Sequence, residues 1–144
     1  MRVDFYQLTR DPVEAVLPLI ARNTLNAGQR LLVVAEPDRF ERLGDALWTR
    51  LPESFLAHGR AGEPHAARQP ILLAERPEAA NGARFIALAD GLWRDEALAF
   101  DRAFLLFGDA TIDAARQVWR DLGQREGLDR HFWKQDGGKW VEGP

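Results

Sequence analysis

The chain of 144 residues has no cysteine, a single serine and only two lysines, Lys134 and Lys139. Without thiols it can form no disulfide and offers no thiolate to a metal, which fits a reducing compartment. Ser54 stands in LPESF, outside the strand–turn–helix setting of a nucleophile elbow, so serine-hydrolase chemistry is not expected. No apolar run approaches the roughly 18 residues a membrane span needs. The opening MRVDFYQLTRDP lacks the apolar core of a secretory signal, and the expectation is a soluble, cytoplasmic protein. Neither a GxGxxG nor a P-loop pattern occurs. The loops LTRDP and AEPDRF instead put an aspartate where a helix amino terminus would meet phosphate, and an acidic cap repels an anion. No cofactor is expected. The histidines His58, His65 and His131 are scattered without metal-ligand spacing. Asp90, Asp95 and Glu96 are close enough in sequence to form a carboxylate pair, but read as solvated loop acids.

What is present has the pattern of one α/β domain spanning residues 1–144. VDFYQL (Val3–Leu8) reads as a first strand. Asp11 is placed to cap the helix that follows, with Pro12 at its first position and Glu14 completing a capping box. Val13, Val16, Leu17, Ile20, Thr24 and Leu25 share one helical face, interrupted by Pro18, where a kink is expected. Gly28 ends the helix. RLLVVA (Arg30–Ala35) is a continuous apolar run, the mark of a strand covered on both faces. Pro37 and Asp38 open a second helix carrying Phe40, Leu43 and Leu47. Pro70–Ala74, Arg84–Ala89 and Ala103–Phe107 are further strands, Gly59–Gln69 a loop, and Asp109–Gln124 a long helix. FWKQDGGKWV has the Asp136-Gly137-Gly138 signal of a small hairpin. The whole predicts a Rossmann-like, open, mostly parallel sheet flanked by helices.

Two aromatic features stand out. Trp48, Pro52 and Phe55 crowd the end of the second helix, either closing the core or forming an aromatic-proline socket for a partner's apolar anchor. On the last helix, Ile112, Ala115, Trp119 and Leu122 form a buried seam, with Arg116 and Arg120 four residues apart beside it. Two guanidinium forks at a tryptophan edge can bind a carboxylate and an aromatic ring together, or simply make a solvated face. The net charge of −3, with both signs interspersed, does not suit a protein built to grip a polyphosphate backbone.

RLGDALWTRLPESFLAHGRAGE (Arg42–Glu63) resembles the most recognisable block of the chi subunit of bacterial DNA polymerase III holoenzyme. VDFYQL, GQRLLVVAE, AARQVWRDL and HFWKQDGGKW fit the same family in order, so the resemblance runs nearly end to end. It implies a Rossmann-like fold, no enzymatic activity and a cytoplasmic accessory protein working at replication forks. It also implies two protein partners, with DNA engaged only indirectly. One is the acidic C-terminal tail of single-stranded-DNA-binding protein, which ends in proline and phenylalanine. The other is the psi subunit, which connects chi to the clamp loader. By resemblance Arg116, Trp119 and Arg120 form the tail site. Arg125 stands in for a basic position that Gly123 leaves empty, while Trp48, Pro52 and Phe55 form the psi surface. Two competing readings stand beside this one. The first is a nucleotide-binding or enzymatic domain with a noncanonical site; the second is a direct single-stranded DNA binder stacking bases on Trp133 and Trp140.

Overall fold

The computed structural model describes every residue except Arg10, Gly137, Gly138 and Pro144. In chain order the regular elements are β1 (Arg2–Gln7), α1 (Val13–Asn26), β2 (Leu31–Val34), α2 (Phe40–Thr49), β3 (His58–Arg60) and β4 (Ile71–Ala74). They continue with β5 (Phe85–Leu88), β6 (Arg102–Phe107), α3 (Ile112–Leu122), β7 (Asp129–Asp136) and β8 (Lys139–Gly143). The strands form one sheet in the order β3-β4-β2-β5-β6-β1-β7-β8. β1 to β7 run parallel, and only β8 returns antiparallel. This is the open α/β, Rossmann-like sheet that the sequence predicts.

The apolar runs are continuous because both faces of the sheet are covered. Leu31, Val33, Ile71 and Leu73 pack against Leu17, Ile20, Leu43 and Leu47 of α1 and α2. Their strand neighbours Leu32, Val34 and Leu72 turn the other way, into a second core that includes Phe5, Phe107, Phe132 and, from α3, Ala115 and Leu122. Alternation within each strand thus serves two cores at once.

Two local expectations are corrected. α1 begins at Val13 with Pro12 in the cap position, and no side chain caps it. The Asp11 carboxylate is taken instead by Gln135 of β7, whose amide donates to it at 2.9 Å, while the Asp11 N–H donates back at 3.3 Å. The segment from Gly59, read as loop, begins inside a strand: β3 pairs in parallel with β4, His58 opposite Ile71. Three residues at a sheet edge gain ladder bonds without showing any apolar alternation. Pro18 lies inside α1, and the helix continues through it to Asn26. Gly28, in the left-handed region at φ 76°, follows the helix end as expected. The hairpin is present as β7 and β8, but Gly137 and Gly138 of its expected turn lie outside the described residues.

Candidate functional site

α2 ends at Thr49, and a 3-10 turn over Pro52–Ser54 leads the chain back toward β3. The core here is closed by Leu56, which is fully buried, with the half-buried Leu51 packed against the same cluster. Trp48 and Phe55 point outward, 56% and 79% exposed, and Pro52 is exposed beside them. Leucines, not aromatics, therefore plug the core. Phe55 is also held at φ 48°, ψ 60°, and is the only non-glycine residue with positive φ among those described. A left-handed phenylalanine costs about 1–2 kcal/mol, and its exposure recovers nothing in the isolated chain. Trp48 rests on His58, ring centroids 5.0 Å apart. His58 in turn is held by the Leu56 carbonyl at 3.0 Å and packs where Gly44 of α2 has no Cβ.

The second surface lies on α3. Ala115 and Leu122 are its buried residues, while Ile112, Val118 and Trp119 pack half-buried on the same core. Trp119 meets Phe5 and Phe132 edge to face, at 5.2 and 5.5 Å. The 100° step of the helix then places Arg116, Arg120 and Gly123 on one flank, and Gly123 at its end meets Arg130 of β7. Arg116 is exposed, 3.9 Å from Asp113. Arg120 donates to Gln117 at 2.7 Å, and Gln117 donates to Asp121 at 2.8 Å, so its guanidinium is held along the helix. Arg125 is exposed in the turn after α3.

The residue that sequence reasoning missed is Arg130. From β7 its guanidinium covers the Trp119 ring at 4.0 Å and donates to the Trp119 carbonyl. It fits there because Gly123 has no side chain: a Cβ on Gly123 would lie 2.7 Å from Arg130 Nη1. The empty position on the helix is thus filled in space by an arginine from a strand. Two-residue alternation in DRHFWK puts Arg130, Phe132 and Lys134 on one face, but only the register with β1 reveals that α3 stands over it.

The remaining candidates have structural occupations. Asp90, 7% exposed, receives both Arg94 nitrogens at 2.9 Å and the Leu92 and Glu36 N–H groups at 3.2 and 3.1 Å. Asp95 accepts the Trp93 indole N–H at 2.9 Å. Trp133 donates its indole N–H to Asp4 at 3.0 Å and lies offset-stacked between Tyr6 and His131, while Trp140 meets Tyr6 edge-on at 5.0 Å. Among the described residues no group of His, Cys, Asp and Glu could hold a metal ion. Beyond the carboxyl ends of β1, β5 and β6, where open α/β sheets bind ligands, lies a cleft of about 420 Å³. Its walls carry Asp11, Glu14 and Asp109 beside Arg39 and Arg42, with no glycine-rich phosphate loop.

These features describe an α/β protein with one exposed aromatic surface, at Trp48 and Phe55, and a half-buried tryptophan on α3 set among arginines. Over residues 1–127 the sequence matches the family described as DNA polymerase III chi subunit, HolC. DNA polymerase III subunit chi of Escherichia coli (strain K12) is 29% identical over 127 residues, covering 81% of this chain and 86% of that protein. The chain belongs to the DNA polymerase III chi subunit family, and so to the accessory proteins of replication. No helix among the described residues is long and apolar enough to cross a membrane.

Proposed function

We propose that this protein is a non-catalytic adaptor that binds the acidic C-terminal tail of single-stranded-DNA-binding protein on α3 and the psi subunit on the Trp48 surface. The observation that carries this reading is the Trp119 platform, an aromatic edge flanked by Arg116 and Arg120 and capped by Arg130. A terminal phenylalanine fits beside the Trp119 ring, and its carboxylate and the neighbouring acids meet the guanidinium groups. Burying that ring contributes roughly 1.5–3 kcal/mol. Two or three charge-assisted hydrogen bonds add about 1.5–3 kcal/mol each, before the costs of association. The balance suggests a dissociation constant of about micromolar order, weakened by salt. Reversible contact suits an adaptor that moves along coated template.

Calorimetric titration with the tail peptide, and with the same peptide lacking its last phenylalanine, tests the reading. Binding of the intact peptide alone is expected, reduced at least tenfold by Arg116→Ala or Arg120→Ala in a folded protein. Normal binding by both variants would remove α3 as the site. For the second surface, Trp48 and Phe55 are exposed and one of them is strained, which supports an interface. Co-purification with psi, lost in Phe55→Asn, is the corresponding measurement.

A further inference from the structure

An opening of about 190 Å³ lies between the last turns of α1 and the sheet, where β5 and β6 begin. None of the residues assigned to the two partner surfaces lines it. Its sheet side is aromatic: the buried Phe104 meets Tyr6 at 6.2 Å and Phe85 at 6.3 Å between ring centroids. Ile20 and Thr24, both buried, close it from the helix. The Thr24 hydroxyl donates to the Ile20 carbonyl at 2.8 Å, so this wall is apolar. The carbonyls of Asn23, Thr24 and Leu25 accept from the N–H groups of Ala27, Gly28 and Gln29, which satisfies them at the helix end. Polar chemistry enters from the strands. Arg102 lies over the Phe104 ring at 4.7 Å, and its Nε donates to Asp4 at 2.8 Å. Among the described residues neither of its Nη groups has an acceptor. Asp4 also receives Arg2, so two guanidinium groups stand on one buried carboxylate and the cluster is left positive. Arg2 shares its charge with the exposed Asp129, whereas the only ion pair of Arg102 among the described residues is with Asp4. The Tyr6 hydroxyl likewise has no hydrogen-bond partner among the described residues, and burial raises its pKa, so it remains a donor. Among the described residues no carboxylate lines the opening.

We infer that this opening is a binding site for a small organic acid, a carboxylate borne on one ring or a short branched chain. The apolar part lies on Phe104 between α1 and Phe85, and the carboxylate takes the free Nη groups of Arg102 and the Tyr6 hydroxyl. Size supports a single ring, since an apolar cavity of about 150 Å³ holds benzene. Charge selects an acid: an amine would face an uncompensated guanidinium, and a neutral amide would forgo the charge-assisted bonds. Asp4 ties the site to the hairpin, because it also accepts the Trp133 indole N–H at 3.0 Å. An occupant that draws on Arg102 therefore alters the environment of that indole.

The test titrates benzoate, benzamide and acetate into the whole chain and follows the backbone amide and indole NMR signals. Benzoate is expected to shift the Thr24, Ala27 and Phe104 amides together with the Trp133 indole N–H. Benzamide, its neutral isostere, and acetate, which has no ring, are expected to bind at least about tenfold more weakly. Arg116→Ala, which removes an arginine of the α3 surface, should change none of this. Arg102→Gln should abolish the preference for benzoate over benzamide in a chain whose amide spectrum stays dispersed. Should that variant unfold, the wild-type contrast between benzoate and benzamide decides alone. Three results would each overturn the site: shifts confined to α3 and lost in Arg116→Ala, equal binding of benzoate and benzamide, or no shift up to millimolar benzoate.

Discussion

Gly123 and Arg130 share one volume at the edge of α3. Adding a methyl group at Gly123 would force the Arg130 guanidinium off the Trp119 ring, since the flexible arginine end yields before the backbone does. Gly123→Ala is therefore expected to leave the protein folded, with a stability change within about 1 kcal/mol, the scale of one exposed cation–π contact. It should shift Trp119 fluorescence and weaken tail-peptide binding. Phe55 poses the opposite problem, a large side chain in a backbone region that asparagine tolerates better. Phe55→Asn should leave stability unchanged or raise it by up to about 1 kcal/mol in a denaturant titration. A loss of about 3–5 kcal/mol, as for a core aromatic, would mean that the ring is buried after all.

At the scale of elements, the loop between α2 and β3 is anchored by Leu56 and displays Phe55 beside Trp48 of the last turn of α2. Leu56→Ala is expected to cost about 2–5 kcal/mol by calorimetry, because it empties a fully buried site. The sequence could not separate these roles. LWTRLPESFL alternates leucine with aromatics, and nothing local tells which set turns inward. The same limit explains the failed cap at Asp11, whose carboxylate is claimed by Gln135 from the far end of the chain. Strands β2, β4, β5 and β6 and the face of α1 were readable because burial on both sides of a sheet, or along one stripe of a helix, writes itself into apolar spacing. β3 was not, since HGR carries no such spacing. The arginines of α3 were readable from their helix, but Arg130 was not, because its place depends on register. The hairpin also carries a titration. Asp129 and Glu142 raise the pKa of His131 above its ordinary value. The clasp is therefore fully in force below the usual histidine range and weakens as pH rises through the raised value. The protection of β8 amides, measured relative to their intrinsic base-catalysed exchange rates, should fall over that window, and His131→Gln should abolish this fall.

Across the whole molecule, Asp4 joins three parallel strands. Fully buried on β1, it accepts Arg2 at 3.0 Å, Arg102 of β6 at 2.8 Å and the Trp133 indole of β7 at 3.0 Å. Burial pushes its carboxyl up, but the bonds from Arg2, Trp133 and Arg102 outweigh it and hold the pKa below the usual range. Its contribution is thus complete at neutral pH and is lost as pH falls through the lowered value. Asp4→Ala should cost about 3 kcal/mol at pH 7, the low end for breaking a buried pair, because both arginines still reach water. The penalty should shrink in acid; a constant difference from pH 7 to pH 3 in urea midpoints would refute it.

The position of β1 between β6 and β7 also orders events on the ribosome. β2, β4 and β5 can pair once Leu88 has emerged, whereas β1, made first, waits for neighbours made last. Phe5 supports Trp119 from below and Phe132 from the side, so that platform is among the last parts to exist. A nascent chain stalled before β7 would hold the central sheet and lack Arg130 and Phe132, on which the surface proposed for the tail rests.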